Sequence, residues 1–405
     1  MNKINFNILF LILISSMGPY IFKGFGIRLE HIVIYSGFIF YIVKNYSLNI
    51  KSSKVFSIMI LSLLIPIFGE LFNKDVTNYA QLFAGIDNYL LFAAVYYIAS
   101  IYIKKYKKFD FLKNLIFLNL NILSINTIIA LLQATGFLSD FLTFFHSTTL
   151  ENLGTDVLSV SVSSANMMRF SGIFDQPLEA GFAYSLGLLS LIYISKFNII
   201  SNIKLLLYII LLVLGGVLCV SKVFIYGGVF LSIIYFVIIQ KLNLKLILFF
   251  LLAIGIAFMG LLISGGLEFF QRLLIFKDIF ANVTYARFEE GSNIIIGINS
   301  LVGVHFIFGN GFTGVSIYDS GYFQYIMQGG MVMLALQFYI IMYLTLTSYV
   351  KSKDFFWFIF LINLLQLLTL LGGPTALANR SPIYLAMIYA CITNSSFQKK
   401  VVNLK

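Results

Sequence analysis

Residues 205–220 read LLLYIILLVLGGVLCV and residues 223–240 read VFIYGGVFLSIIYFVIIQ, with Ser221-Lys222 between them. Each run approaches the roughly 20 apolar residues a helix needs to cross a bilayer core about 30 Å thick. Both are apolar on every side. A membrane β-barrel would instead show strands of about ten residues alternating apolar with polar, and backbone amides left unpaired in hydrocarbon cost several kcal/mol each, so these runs are helices.

The same pattern extends along the chain in both directions. It predicts about twelve spans, near 5–22, 29–43, 55–72, 82–103, 114–133, 178–195, 204–221, 223–240, 246–264, 323–349, 355–372 and 382–397. The first resembles a signal peptide in its Lys3 and apolar stretch, but it lacks a small-residue cleavage site and reads as a retained helix. Composition agrees: 60% hydrophobic and 11% charged residues fall far from a soluble domain, where about a quarter of residues are charged. The expected fold is an all-α polytopic membrane protein, one integral membrane domain over 1–405. Cys219 and Cys391 lie inside apolar runs, with no partner for a disulfide framework or a metal site.

Lysines and arginines orient such a chain, because short loops rich in them stay in the cytoplasm. With both termini inside, the lysines at 44–54, 104–113, 196–204, 241–245, 351–353 and 399–405 are cytoplasmic. All five arginines, Arg28, Arg169, Arg272, Arg287 and Arg380, fall outside. The net charge of +11 is therefore a topology signal, and no basic stripe interleaved with aromatics points to nucleic acid.

Two long segments, 134–177 and 265–322, face outward in this topology, and loops of that length are commonly functional. The first returns to the membrane through Arg169-Phe-Ser-Gly172-Ile-Phe-Asp175-Gln-Pro177-Leu-Glu179-Ala-Gly181. The second opens with an amphipathic stretch, Leu267 to Phe280, whose Glu268, Gln271 and Arg272 share a face, as in an interfacial helix. Arg287, Glu289 and Glu290 follow, then Gly309-Asn-Gly311, Asp319-Ser-Gly-Tyr322 and Gly329-Gly330. Glycines this dense suit backbone held close to a ligand or headgroup.

Other polar residues carry blander readings beside the functional ones. Arg28 and Arg272 read as interfacial anchors, and Arg169 at a helix start also suits snorkelling. Arg380 in the last external loop suits capping as well as binding. His305, His31 and His146 read as satisfied or interfacial histidines. Asp87 is an ionisable group at membrane depth and so a functional candidate, while Glu70 ends a span. No phosphate loop, zinc motif or nucleophile elbow occurs. Scarce acids in mid-span weigh against an ion-driven carrier.

What remains is a chemistry of arginines, carboxylates and glycine-rich backbone at an outer membrane surface. Arginine's planar fork grips phosphate bidentately and stays charged. Donors aimed at a departing lipid diphosphate would stabilise the charge that grows on it, and a carboxylate among Asp175, Glu289 and Asp319 would take the proton from an attacking sugar hydroxyl. Such glycosyl transfer needs no metal and no cofactor.

The run from Arg169 to Gly181 resembles the corresponding segment of bacterial O-antigen polymerases. The order Arg287, Gly309-Asn-Gly311-Phe, Asp319-Ser-Gly-Tyr322, Gly329-Gly330 is similar to the later outer loop of the O-antigen polymerase and ligase superfamily. The resemblance spans the chain as architecture and about forty residues as motif. It implies a fold like the glycosyltransferase C type, an undecaprenyl diphosphate-linked oligosaccharide substrate, and transfer of the growing glycan onto the non-reducing sugar of an incoming unit at the periplasmic face of the inner membrane. It implies Arg169, Arg287 and Asp319 as catalytic, with Arg380, Gly172, Asp175, Pro177, Glu179, Glu290 and Tyr322 at the substrate. Membrane lipid, a chain-length regulator and a flippase of the same pathway are the implied partners. Ligases of the superfamily show a histidine where this sequence has Asp319, which favours polymerase over ligase. A flippase, the other alternative, would carry its charges along a central cavity.

Overall fold

A computed structural model describes residues 8–22, 26–45, 54–72, 79–106, 110–146, 164–197, 199–240, 292–313, 320–351, 353–373 and 380–394, with scattered positions from 248 to 259. Helices dominate. Helix α1 (Ile8–Ser15) leads into a two-stranded antiparallel hairpin, β1 (Tyr20–Phe22) with β2 (Ile27–Arg28). Then come α2 (Leu29–Asn45), α3 (Lys54–Glu70), α4 (Tyr79–Tyr106), α5 (Asp110–Ala134), α6 (Ser139–His146), α7 (Pro177–Ser195) and α8 (Asn202–Leu218). A π-helical stretch, Val223–Val229, runs into α9 (Phe230–Gln240). The chain continues with α10 (Asn293–Ser300), α11 (Val304–Phe308), α12 (Gly321–Lys351), α13 (Lys353–Thr369) and α14 (Ser381–Thr393).

Among the described residues, four helical segments are long and apolar enough to cross a membrane: Leu82–Lys104, Phe111–Ala134, Pro177–Ser195 and Gly321–Val350. A helix also lies in every other expected interval except 246–264, which falls largely outside the described residues. The first interval needs correction. Its helix stops at Ser15, and residues expected to continue it, Tyr20 to Phe22, form β1. The turn at Gly18 is close-packed, since a Cβ there would meet the Leu29 side chain at 2.7 Å. The two expected loops are also partly helical, holding α6 in one and α10 and α11 in the other.

Helices α7 and α14 form the centre. Nearly every residue of both is buried, the behaviour expected of a helix apolar all round and enclosed by its neighbours. Small residues let the neighbours approach. A Cβ at Gly181 would strike Ser221 and one at Gly228 would strike Ser185, so α7 and the π-helical stretch touch backbone to side chain. Ser190 of α7 and Tyr384 of α14 share a hydrogen bond of 2.9 Å. Helix α14 lies along α4, while α5 packs on α8 and α7. Because α7 begins at Pro177 and α14 at Ser381, their N-termini present Asp175, Glu179 and Arg380 at one end of the bundle.

Candidate functional site

Asp175 sits just before the N-terminus of α7 and gathers charge from three distant segments. Its Oδ2 accepts from Arg28 Nη1 at 3.0 Å and from the Tyr20 hydroxyl at 3.3 Å. Its Oδ1 meets His146 Nδ1 at 3.3 Å and Arg380 Nη2 at 3.4 Å. Burial would raise this carboxyl, but Arg380, the His146 hydrogen bond and Arg28 together hold it well below the usual carboxylate range. Burial, and then Asp175, raise the Tyr20 hydroxyl above its ordinary value. Asp175 is therefore a fixed anion, and the expectation that it could serve as the general base gives way. A carboxylate held this acidic is a poor proton acceptor near neutral pH.

The surrounding groups complete a brace. Arg28 pairs through Nε with Glu30 at 2.7 Å, and both are almost fully buried. Arg380, expected in an external loop, is 1% exposed. Its Nη1 donates to the carbonyls of Ser16 and Gly18 at 3.0 and 3.1 Å, just past the C-terminus of α1, where a cation complements the helix dipole. Glu179 Oε1 accepts the backbone amides of Arg380 and Ser381 at 2.6 and 3.0 Å, so a carboxylate from α7 caps α14. Three helix termini thus meet and are neutralised in one place. His146 Nε2 lies 2.9 Å from the Gly172 carbonyl. Both ring nitrogens thus face oxygens, Asp175 Oδ1 on one side and the Gly172 carbonyl on the other.

The network also extends sideways. Arg28 Nη2 lies 3.2 Å from His31 Nε2, which lies 3.2 Å from Asp87 Oδ2, and Tyr35 donates to Asp87. Asp87, singled out as an acid at membrane depth, is thus the outer member of this network. Arg28, read as an interfacial anchor, is a core ion-pair partner. Its contacts with residues 147 positions away, and those of His146, carry no local sequence signal.

Of the sequence-predicted residues, Gly172, Asp175, Pro177, Glu179 and Arg380 come together here. Gly172 has φ +64°, and a Cβ on it would strike Asn126; its amide donates to Gln133 Oε1 at 3.0 Å, while Ile173 N donates to Asn126 Oδ1 at 2.8 Å. Pro177 opens α7, a position where its missing N–H costs nothing. Arg169 lies on the flank, where Phe170 N donates to Leu218 O at 2.9 Å and the Arg169 guanidinium faces Cys219, with burial lowering its pKa. Two non-glycine residues in the left-handed region, Met168 at φ 56° and Val220 at φ 44°, bracket this contact. Tyr322 lies elsewhere, donating to the Leu367 carbonyl at 2.8 Å. Arg287, Glu289, Glu290, Asp319, Arg272 and the expected interfacial helix lie outside the described residues.

The glycine-rich run 309–311 makes its close approaches to protein. Gly309 has φ +75°, and a Cβ on it would meet the Gln328–Gly329 backbone at 2.5 Å, while one on Gly311 would meet the Glu70 side chain. Glu70, at the end of α3, accepts from Thr313 N at 2.5 Å and Thr313 Oγ1 at 2.6 Å. A Cβ on Gly330, φ +63°, would strike the Ile307 carbonyl. These glycines build a clasp around the kink of α12 at Gly329–Gly330, so the close backbone approach expected of them is made to protein.

Compared with family models, with curated proteins and with solved structures, the chain has no match.

Proposed function

We propose that this chain is a polytopic inner-membrane glycosyltransferase of about twelve spans, polymerising an undecaprenyl diphosphate-linked surface glycan at the outer end of its bundle, with both termini cytoplasmic. One observation carries the reading: the segment 169–181 is fastened by side-chain contacts from several elements at one end of an apolar bundle. Asn126 and Gln133 fasten Gly172 and Ile173, three cationic or imidazole groups fasten Asp175, and strained backbone flanks Arg169. Backbone strain concentrates where a site over-determines its geometry, and catalysis by charge stabilisation depends on such preorganisation. In this reading Arg169 and Arg287 hold the departing diphosphate, Glu289 or Asp319 takes the proton of the acceptor hydroxyl, and the Asp175 brace positions the loop without touching substrate. No metal takes part.

The test is the lipopolysaccharide pattern of a strain lacking the gene. A missing polymerase leaves single repeat units to be exported and ligated, so core plus one repeat is expected. Complete loss of O-antigen would point to the ligase or the flippase instead, and accumulated carrier-linked polymer would single out the ligase. Complementation with Arg169→Ala or Arg287→Ala should fail while the protein still inserts, and lysine at either position should restore little, because it lacks the fork. Full polymer from either alanine variant removes that arginine from the mechanism. Activity of the purified protein should survive EDTA, and its loss and recovery with a divalent cation would overturn the metal-free reaction.

A further inference from the structure

Helix α6 is pinned at both ends to the rim of the bundle. Its first residue, Ser139, follows the end of α5 at Ala134 by five positions, and its last, His146, meets Asp175 and the Gly172 carbonyl just ahead of α7. Both α5 and α7 carry segments long and apolar enough to cross a membrane, so α6 lies at the level where two spans end. Going round this helix at about 100° per residue, its side chains fall into three sectors about 120° apart. Leu142, Phe145 and His146 are buried against the bundle, and the Arg380 guanidinium stands over the Phe145 ring, 5.3 Å from its centre. Ser139, Asp140 and Thr143 form an exposed polar sector. Phe141 and Phe144 form the third, joined by Phe137 from the preceding turn, and they are 51%, 64% and 79% exposed in that order.

The aromatic sector continues a surface of the kind that faces hydrocarbon. On α5, Ile125, Ile128 and Leu132 are exposed at i, i+3 and i+7, one stripe of a helix, and the chain runs from that stripe into the turn carrying Phe137. Fully burying a phenylalanine gains about 1.5–3 kcal/mol, so three rings this exposed would be costly to leave in water. A second copy of the chain is too large a cover for them. The rings expose together about 400 Å², half of the roughly 800 Å² per partner in a stable interface. The boundary between headgroups and acyl chains fits instead, since a helix lying there sinks its aromatic side and keeps its polar side hydrated.

We propose that α6 is a lipid-binding helix at the Asp175 end of the bundle. Phe137, Phe141 and Phe144 enter the acyl chains of the adjoining leaflet, Ser139, Asp140 and Thr143 face water, and Phe145 and His146 hold the brace. The proposal rests on α5 crossing the membrane and is independent of glycosyl transfer. Tryptophan fluorescence of the full-length protein in bilayers of brominated phosphatidylcholine tests it. The single tryptophan of the chain, Trp357, is removed as Trp357→Phe, and Phe141→Trp, Thr143→Trp or Ile128→Trp is introduced in that background. Phe141→Trp should lose about half of its emission to bromines about 5–10 Å below the headgroups, the depth an interfacial helix face reaches. Ile128→Trp should be quenched most by bromines deeper in the chains, and Thr143→Trp by aqueous iodide. Quenching of Ile128→Trp without quenching of Phe141→Trp overturns the lipid contact and leaves the span in place. Absence of quenching in both removes the span and the proposal with it, and equal bromine quenching of Phe141→Trp and Thr143→Trp overturns the assignment of faces.

Discussion

Asp175 decides how the bundle end is held, because one carboxylate answers two arginines and an imidazole. Removing one member of such a buried set costs about 3–5 kcal/mol, mostly from charges left without a counter-ion. Asp175→Asn should therefore lower the melting temperature at pH 7 far more than Asp140→Asn, a change at an exposed position. The pH dependence has a definite sign. The folded carboxyl lies well below its ordinary range, so its contribution is complete above the unfolded value of about 3.9 and declines as pH falls below it. The gap between wild type and Asp175→Asn should be constant from pH 7 to about pH 5 and narrow below about pH 4. A gap of the same size at pH 7 and pH 3.5 would remove Asp175 ionisation as its source. At this scale sequence reading reached half of the site. Asp175, Glu179 and Arg380 stood out because charge is rare in so apolar a chain, whereas Arg28, His31 and His146 have partners only in three dimensions.

Helices were legible from composition, since any run of about 20 apolar residues must close its own backbone hydrogen bonds in lipid. What interrupts them was not. Strand β1, residues 20–22, hides at the end of an apolar run whose period differs little between strand and helix over three residues, and the break in α12 follows from a clasp formed by residues 307–311. The double glycine at 329–330 was visible, but its role depends on what packs against it. Gly330 combines φ +63° with the Ile307 carbonyl in the place of a Cβ, so Gly330→Ala should destabilise the protein by about 1–3 kcal/mol from backbone strain alone. Gly255→Ala, at a glycine with open space around it, should be near neutral. Comparable melting of both variants would mean that the clasp can relax at little cost.

Orientation belongs to the whole molecule, because no single loop carries it. The helix directions place Asp140, in α6, at the end of the bundle where α7 begins, and Lys204 beyond the far end of α7. In the proposed topology the Asp140 end faces outward and the Lys204 end faces the cytoplasm. Both native cysteines are fully buried, so single introduced cysteines can be read with little background from a membrane-impermeant maleimide. Asp140→Cys should label in intact cells, and Lys204→Cys and Lys353→Cys only after the inner membrane is opened. The reverse pattern would put the Asp175 brace in the cytoplasm and would contradict the proposed polymerisation at the outer end of the bundle. Labelling of all three in intact cells would mean that α7 does not cross the membrane, which its buried apolar length makes the strongest structural expectation of the fold.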